Sequence, residues 1–193
     1  MLCYKPDFPD RLEGLCRRSS LIRKKSSHIM MLKAAQRYPV TPEFVVKCAS
    51  GSTNIFKIHI MQALMEVGYT DRIYGDLYKK LFSSDVEGNI NNVPEYEDIF
   101  EVLKQIHEAG GIAVLANPQR CKNKNLVDEL VKAGLDGIEV YSPELSDEEK
   151  AEFIKYAKKN KILTTGGSNF KGLYNKMVVS VCDCDLPDEC VQE

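Results

Sequence analysis

Three short polar segments in the second half of the sequence carry the residues that could do chemistry. Asn117-Pro118-Gln119-Arg120 follows the apolar run 112–116, IAVLA. Tyr141-Ser142-Pro143 closes the run 135–141, LDGIEVY. Gly166-Gly167-Ser168-Asn169-Phe170-Lys171-Gly172 ends the run that starts at Lys161. Guanidinium and ammonium groups beside amides, a hydroxyl and a glycine-rich turn suit the binding of an anion. Turns are polar in any protein, so ordinary solvated loops remain an equal alternative at this level. His28 and His107 lie in helical stretches without neighbouring ligands and read as structural. Of the seven cysteines (3, 16, 48, 121, 182, 184 and 190), Cys182, Cys184 and Cys190 invite a zinc reading. A structural zinc site wants a second half of similar spacing or a histidine partner, and none follows. Free thiols are the expectation.

Local patterns indicate the elements that must position these segments. Arg11 to Arg37 holds eight Lys/Arg and one acidic residue, with Leu and Ile at irregular helical spacing, weakened by Gly14 and the Ser19-Ser20 and Ser26-Ser27 pairs. This predicts a basic helix, solvated or facing a substrate. Thr41-Pro42 is a helix start. A helix through Ile58, Met61, Leu64 and Met65 should end at Gly68, another should span Asp71–Phe82, and 83–94 reads as a loop. Beyond it a helix through Ile99, Val102, Leu103 and Ile106 stops at Gly110-Gly111. A helix then follows from Leu126 to Ala133, and another starts at Ser146 with Glu149 completing a capping box. Three helices alternating with the three apolar runs predict an α/β fold with a parallel sheet. In such folds the functional groups gather where the strands end, which is where the three polar segments fall.

The composition narrows the function. The chain has 193 residues, 44% hydrophobic and 28% charged, with 26 Lys+Arg against 28 Asp+Glu. A net charge of −2 excludes nucleic-acid binding by bulk charge. No run approaches the ~18 apolar residues of a membrane span, and MLCYKPDFPDRLEG lacks the apolar core of a secretory signal. A cytoplasmic location and no membrane partner are the expectation.

Taken together, EVLKQIHEAGGIAVLANPQR and the stretch LVDELVKAGLDGIEVYSPELSDEEKAEFIKYAKKNKILTTGGSNFKG closely resemble the polymerase and histidinol phosphatase (PHP) family. The nearest branch is that of small phosphoesterases acting on nucleoside bisphosphates. TPEFVVKCA and SGSTNIFKIHIMQALMEVGYT resemble that branch's helical insertion. The likeness is collinear from about Tyr4 to Asp188. It implies part of a distorted, seven-stranded, TIM-like β/α barrel, with 1–94 as barrel connection plus helical insertion and 95–193 as its C-terminal βα part. The family holds divalent Mn, Fe, Zn or Mg on His, Asp and Glu, and uses the metals to make hydroxide and neutralise phosphate.

Against that pattern the sequence departs twice. The family's His-x-His, Asp-His and Glu ligands precede the insertion and have no counterpart here. Within the shared part, A-H-P has become Ala116-Asn117-Pro118, and G-S-D-F-H-G has become Gly167-Ser168-Asn169-Phe170-Lys171-Gly172. The ligand positions thus carry Asn117, Asn169 and Lys171, an unsuitable set for these metals. No cofactor is expected, and the phosphoesterase lineage is read as degenerate in activity. On the substrate side Lys57, His59, Arg120 and Lys171 are retained or introduced as candidate phosphate-binding residues. For His59 a structural role, and for Lys171 a solvent-pointing side chain, stay open. The expected partner is a phosphorylated small molecule or nucleotide. An active half completed by a separate N-terminal chain, a purely binding module, and self-association through sheet edges are the alternatives.

Overall fold

The computed structural model describes residues 1–121, 123–181, 184, 186 and 187, so Cys182 and Cys190 of the zinc reading lie outside the described residues. The chain divides into two compact units, Met1–Gly14 with Glu97–Glu193, and Leu15–Tyr96.

The first of these units is α/β. Strand β1 (Leu2–Tyr4) precedes helix α1 (Asp10–Ala35). The second half then runs α5 (Ile99–Glu108), β2 (Ile112–Leu115), a 3-10 turn (Pro118–Arg120), α6 (Lys124–Lys132), β3 (Gly137–Tyr141), α7 (Asp147–Asn160), β4 (Leu163–Gly166) and a second 3-10 turn (Gly172–Tyr174). The four strands lie in sequence order. β2–β3 and β3–β4 are parallel, as the alternating pattern predicts. β1 is an addition. It pairs antiparallel with β2, Leu2 opposite Val114 and Tyr4 opposite Ile112, and its three residues are too few to show a period.

Alternation along the strands sorts their side chains. Ala113, Leu115, Ile138 and Val140 join Leu103 and Ile106 of α5, Val127 and Leu130 of α6 and Ala157 of α7 in one buried cluster. Val114, Gly137 and Glu139 therefore belong to the opposite face. Gly137 marks a close approach of β3 to β4. A Cβ at that position would stand 3.0 Å from the Leu163 carbonyl oxygen and 3.3 Å from Cγ2 of Val114.

Caps fix where the helices begin. Asp98 accepts from the amides of Phe100 and Glu101, and Ser146 and Glu149 form the expected reciprocal box, 3.3 and 2.9 Å. Such a cap is worth about 1 kcal/mol. His107 is structural: its Nε2 meets the Asp136 carboxylate at 2.9 Å, and the same oxygen accepts from the Ala113 amide at 2.7 Å.

The second unit is helical. It contains most of α1, then α2 (Pro42–Cys48), α3 (Lys57–Glu66) and α4 (Asp76–Phe82). Its core gathers Met30, Met31, Val45, Ile60, Met61, Leu64 and Leu81. Ser26 and Ser27, which blur the helical period in the sequence, are buried. Ser27 donates to the Ile55 carbonyl at 2.6 Å, so these hydroxyls bind loop backbone to the helix. α4 begins at Asp76, later than the expected Asp71, because Gly75 is its N-cap and Asp71 is instead paired with Arg72 at 2.9 Å. No helix among the described residues is long and apolar enough to cross a membrane.

Candidate functional site

Parallel pairing puts the C-terminal ends of β2, β3 and β4 along one edge of the sheet, and the three polar segments leave from there. Asn117 and Asn169, 52 residues apart in sequence, meet side chain to side chain: Asn169 Nδ2 donates to Asn117 Oδ1 at 2.9 Å and reaches Ser142 Oγ at 3.4 Å. Ser142 is buried and also accepts from the Glu144 amide at 3.3 Å. Both asparagines hold left-handed backbone, each at φ +51°, a conformation asparagine tolerates better than most side chains. The three strand ends are thereby joined by one polar cross-link.

Two cations flank the cross-link, and both face the same carboxylate. Arg120 Nη2 bonds Oε2 of Glu144, and Lys171 Nζ lies 3.8 Å from Oε1. The backbone carrying Lys171 is held by Asn175, whose side chain accepts from the Lys171 amide and donates to the Asn169 carbonyl at 3.1 Å.

Beneath the loops sits Glu139, on the face of β3 turned away from the helices. It is 6% exposed, and its Oε1 has no hydrogen-bond partner. Burial and the nearby Glu144 carboxylate push its pKa up, with Arg120 pulling the other way. Burial is the larger of these effects, since desolvation disfavours the charged carboxylate. Gly167 lies over it: a Cβ there would stand 3.5 Å from Oε1, an ordinary contact distance.

Among the sequence candidates, Arg120 and Lys171 are thus brought together through Glu144, next to Asn117 and Asn169. Lys57 and His59 belong to the helical unit. Lys57 Nζ stands 5.3 Å from the centre of the Phe82 ring, and burial lowers its pKa. His59 is buried at the start of α3. Its Nδ1 accepts from the Phe56 amide at 3.1 Å, and desolvation lowers its pKa. That nitrogen is therefore engaged in capping its own helix. Glu139 and Glu144 were not singled out from the sequence. The available signal was a charged residue inside the apolar run GIEVY, which a strand buried on both faces does not ordinarily carry.

The family's metals do not fit these residues. Asn117 Oδ1 is occupied by the Asn169 amide, the Lys171 ammonium would repel a cation, and no group of three or more His, Cys, Asp or Glu able to hold a metal occurs among the described residues. The positive charges of the arrangement are Arg120 and Lys171, both set against the Glu144 carboxylate.

No family model matches the sequence. A phosphoribosyl 1,2-cyclic phosphate 1,2-diphosphodiesterase of Eggerthella lenta is 30% identical over 168 residues, 86% of this chain, and the chain spans 63% of that protein's length. A solved structure from Bifidobacterium adolescentis, ascribed to the metal-dependent phosphoesterases, superposes with a TM-score of 0.80. It shares 21% identity, covering 98% of this chain and 68% of that one. An amidohydrolase of Chromobacterium violaceum, solved with sulfate and no metal, superposes at 0.71, again 21% identical, over 94% of this chain and 64% of that one. The two structures show a shared fold, and over 63% of its length the curated relative, a phosphodiesterase by name, is similar to this chain in sequence.

Proposed function

We propose that this chain is part of a PHP-type β/α barrel, with a helical insertion, that binds a phosphorylated small molecule without hydrolysing it. The observation that carries the reading is the hydrogen bond between Asn117 and Asn169. Two positions that hold metal in the family hold each other instead, and the structural work of joining the strand ends is kept while the Lewis acid is dispensed with. Arg120 and Lys171 supply fixed positive charge, which neutralises a phosphate but cannot generate hydroxide. The named relative acts on a phosphoribosyl cyclic phosphate, so a sugar phosphate or nucleotide is the proposed ligand class. Lys57 and His59 are added to the proposed ligand-binding set by the family resemblance alone. A cytoplasmic location goes with such a ligand.

Three measurements on the purified chain test the reading. Elemental mass spectrometry after dialysis should find no stoichiometric Mn, Fe or Zn. Calorimetric titration with a nucleoside 3′,5′-bisphosphate should give a micromolar dissociation constant. Lys171→Ala should weaken it tenfold or more, equal to ~1.4 kcal/mol. Phosphate release from the bisphosphate or from the cyclic phosphate, with Mn²⁺ added, should be absent. Turnover by the chain alone would refute the inactive reading. Turnover only after adding a polypeptide with His-x-His and Asp-His motifs would establish the completed-half alternative.

A further inference from the structure

The two cations proposed to bind phosphate already have an anion. Glu144 offers one carboxylate oxygen to Arg120 and the other to Lys171 at 3.8 Å, the same two-point contact that two oxygens of a phosphate would make. The three side chains come from three different loops, after β2, β3 and β4, so the contact is not a by-product of one local turn. It is also loose. The Arg120, Lys171 and Glu144 side chains are 59%, 48% and 26% exposed, and exposed ion pairs of this kind hold only weakly. The Glu144 backbone, by contrast, is tied down through its amide to Ser142 Oγ, so its carboxylate stays close to both cations at high effective concentration.

We propose that Glu144 sets the specificity of this site by acting as an internal counter-anion that any ligand must displace, so that the site takes phosphate dianions and rejects singly charged anions. The inference rests on the phosphate-binding reading above. A free carboxylate or chloride brings no more charge than Glu144 does and loses translational freedom in binding, so it cannot compete with a tethered group. A phosphate monoester dianion brings a second charge and a third oxygen. It neutralises both cations where the carboxylate leaves one charge over, and it offers more acceptor positions to the guanidinium fork.

The test is calorimetric titration of the full chain, of Glu144→Gln and of Glu144→Asp with inorganic phosphate and, separately, with acetate. The inference expects phosphate to bind Glu144→Gln about tenfold tighter than the parent. It expects acetate binding to appear in Glu144→Gln while staying undetectable in the parent, with Glu144→Asp lying between because it keeps the charge on a shorter arm. Phosphate binding of equal or lower strength in Glu144→Gln, with the variant's circular dichroism and melt unchanged, overturns the role of Glu144 and leaves the phosphate-binding reading standing. If phosphate binds none of the three proteins, the phosphate-binding reading falls and the inference falls with it.

Discussion

If the Asn117–Asn169 contact has replaced a metal as the tie between strand ends, the two side chains must be energetically coupled. Replacing either by alanine removes a part-buried hydrogen bond of 2.9 Å, worth about 0.5–1.5 kcal/mol net. It also puts alanine at φ +51°, a left-handed conformation that costs roughly 1 kcal/mol more. Each single variant should therefore lose about 2 kcal/mol. The backbone cost is paid independently at each site, but the hydrogen bond can be lost only once. The double variant should thus be less destabilised than the sum of the singles by about 1 kcal/mol. Urea unfolding followed by far-ultraviolet circular dichroism is the suitable assay, since the chain has no tryptophan. A parallel cycle with glycine relieves the backbone, so its single costs should fall while its coupling stays the same. Additivity within ~0.3 kcal/mol in both cycles, the behaviour of independent sites, would refute the cross-link.

Two further outcomes follow from other parts of the same unit. Glu139 has a raised pKa, so its contribution to stability is full below the ordinary glutamate range and is lost as pH rises through the raised value. Glu139→Gln should accordingly gain stability relative to the parent on going from pH 5 to pH 8, and parallel urea midpoints at the two pH values would show the carboxyl to be ordinary. Ser146→Ala breaks the capping box of α7 and should cost about 1 kcal/mol, read as a fall in Tm of about 2–4 °C; an unchanged melt would mean that the box contributes nothing.

The parts of the fold legible in the sequence are those specified by neighbours in the chain. Thr41-Pro42, the Ser146–Glu149 box and the glycine closing α5 gave helix ends directly, because a cap is a contact across three or four residues. The buried runs at 112–116 and 135–141 gave two of the parallel strands for the same local reason. β1 was invisible because its pairing partner lies about 110 residues away and its own residues carry no pattern. At the site, Asn117, Asn169, Arg120 and Lys171 were marked by their place in polar segments at the strand ends, and the family pattern singled out the same positions. Their arrangement was not legible, because it depends on Glu144, which joins residues 24 and 27 positions distant. A glutamate in the first turn after a Ser-Pro pair looks like any solvated loop residue until the sheet brings two cations to it.

Gly137 bears on how this gene can change. Nearly every single-base substitution in the first two letters of a glycine codon inserts a side chain, and at this position the first added carbon meets the Leu163 carbonyl oxygen at 3.0 Å. Main chain cannot turn aside as a side chain can, so the strand itself would have to move. With it would go the spacing of the loops that start from the far ends of β3 and β4, where Ser142 and Asn169 meet. A side chain at Gly137 thus needs the neighbouring backbone to give by a few tenths of an ångström, and the gap on which the meeting of the loops depends shifts with it.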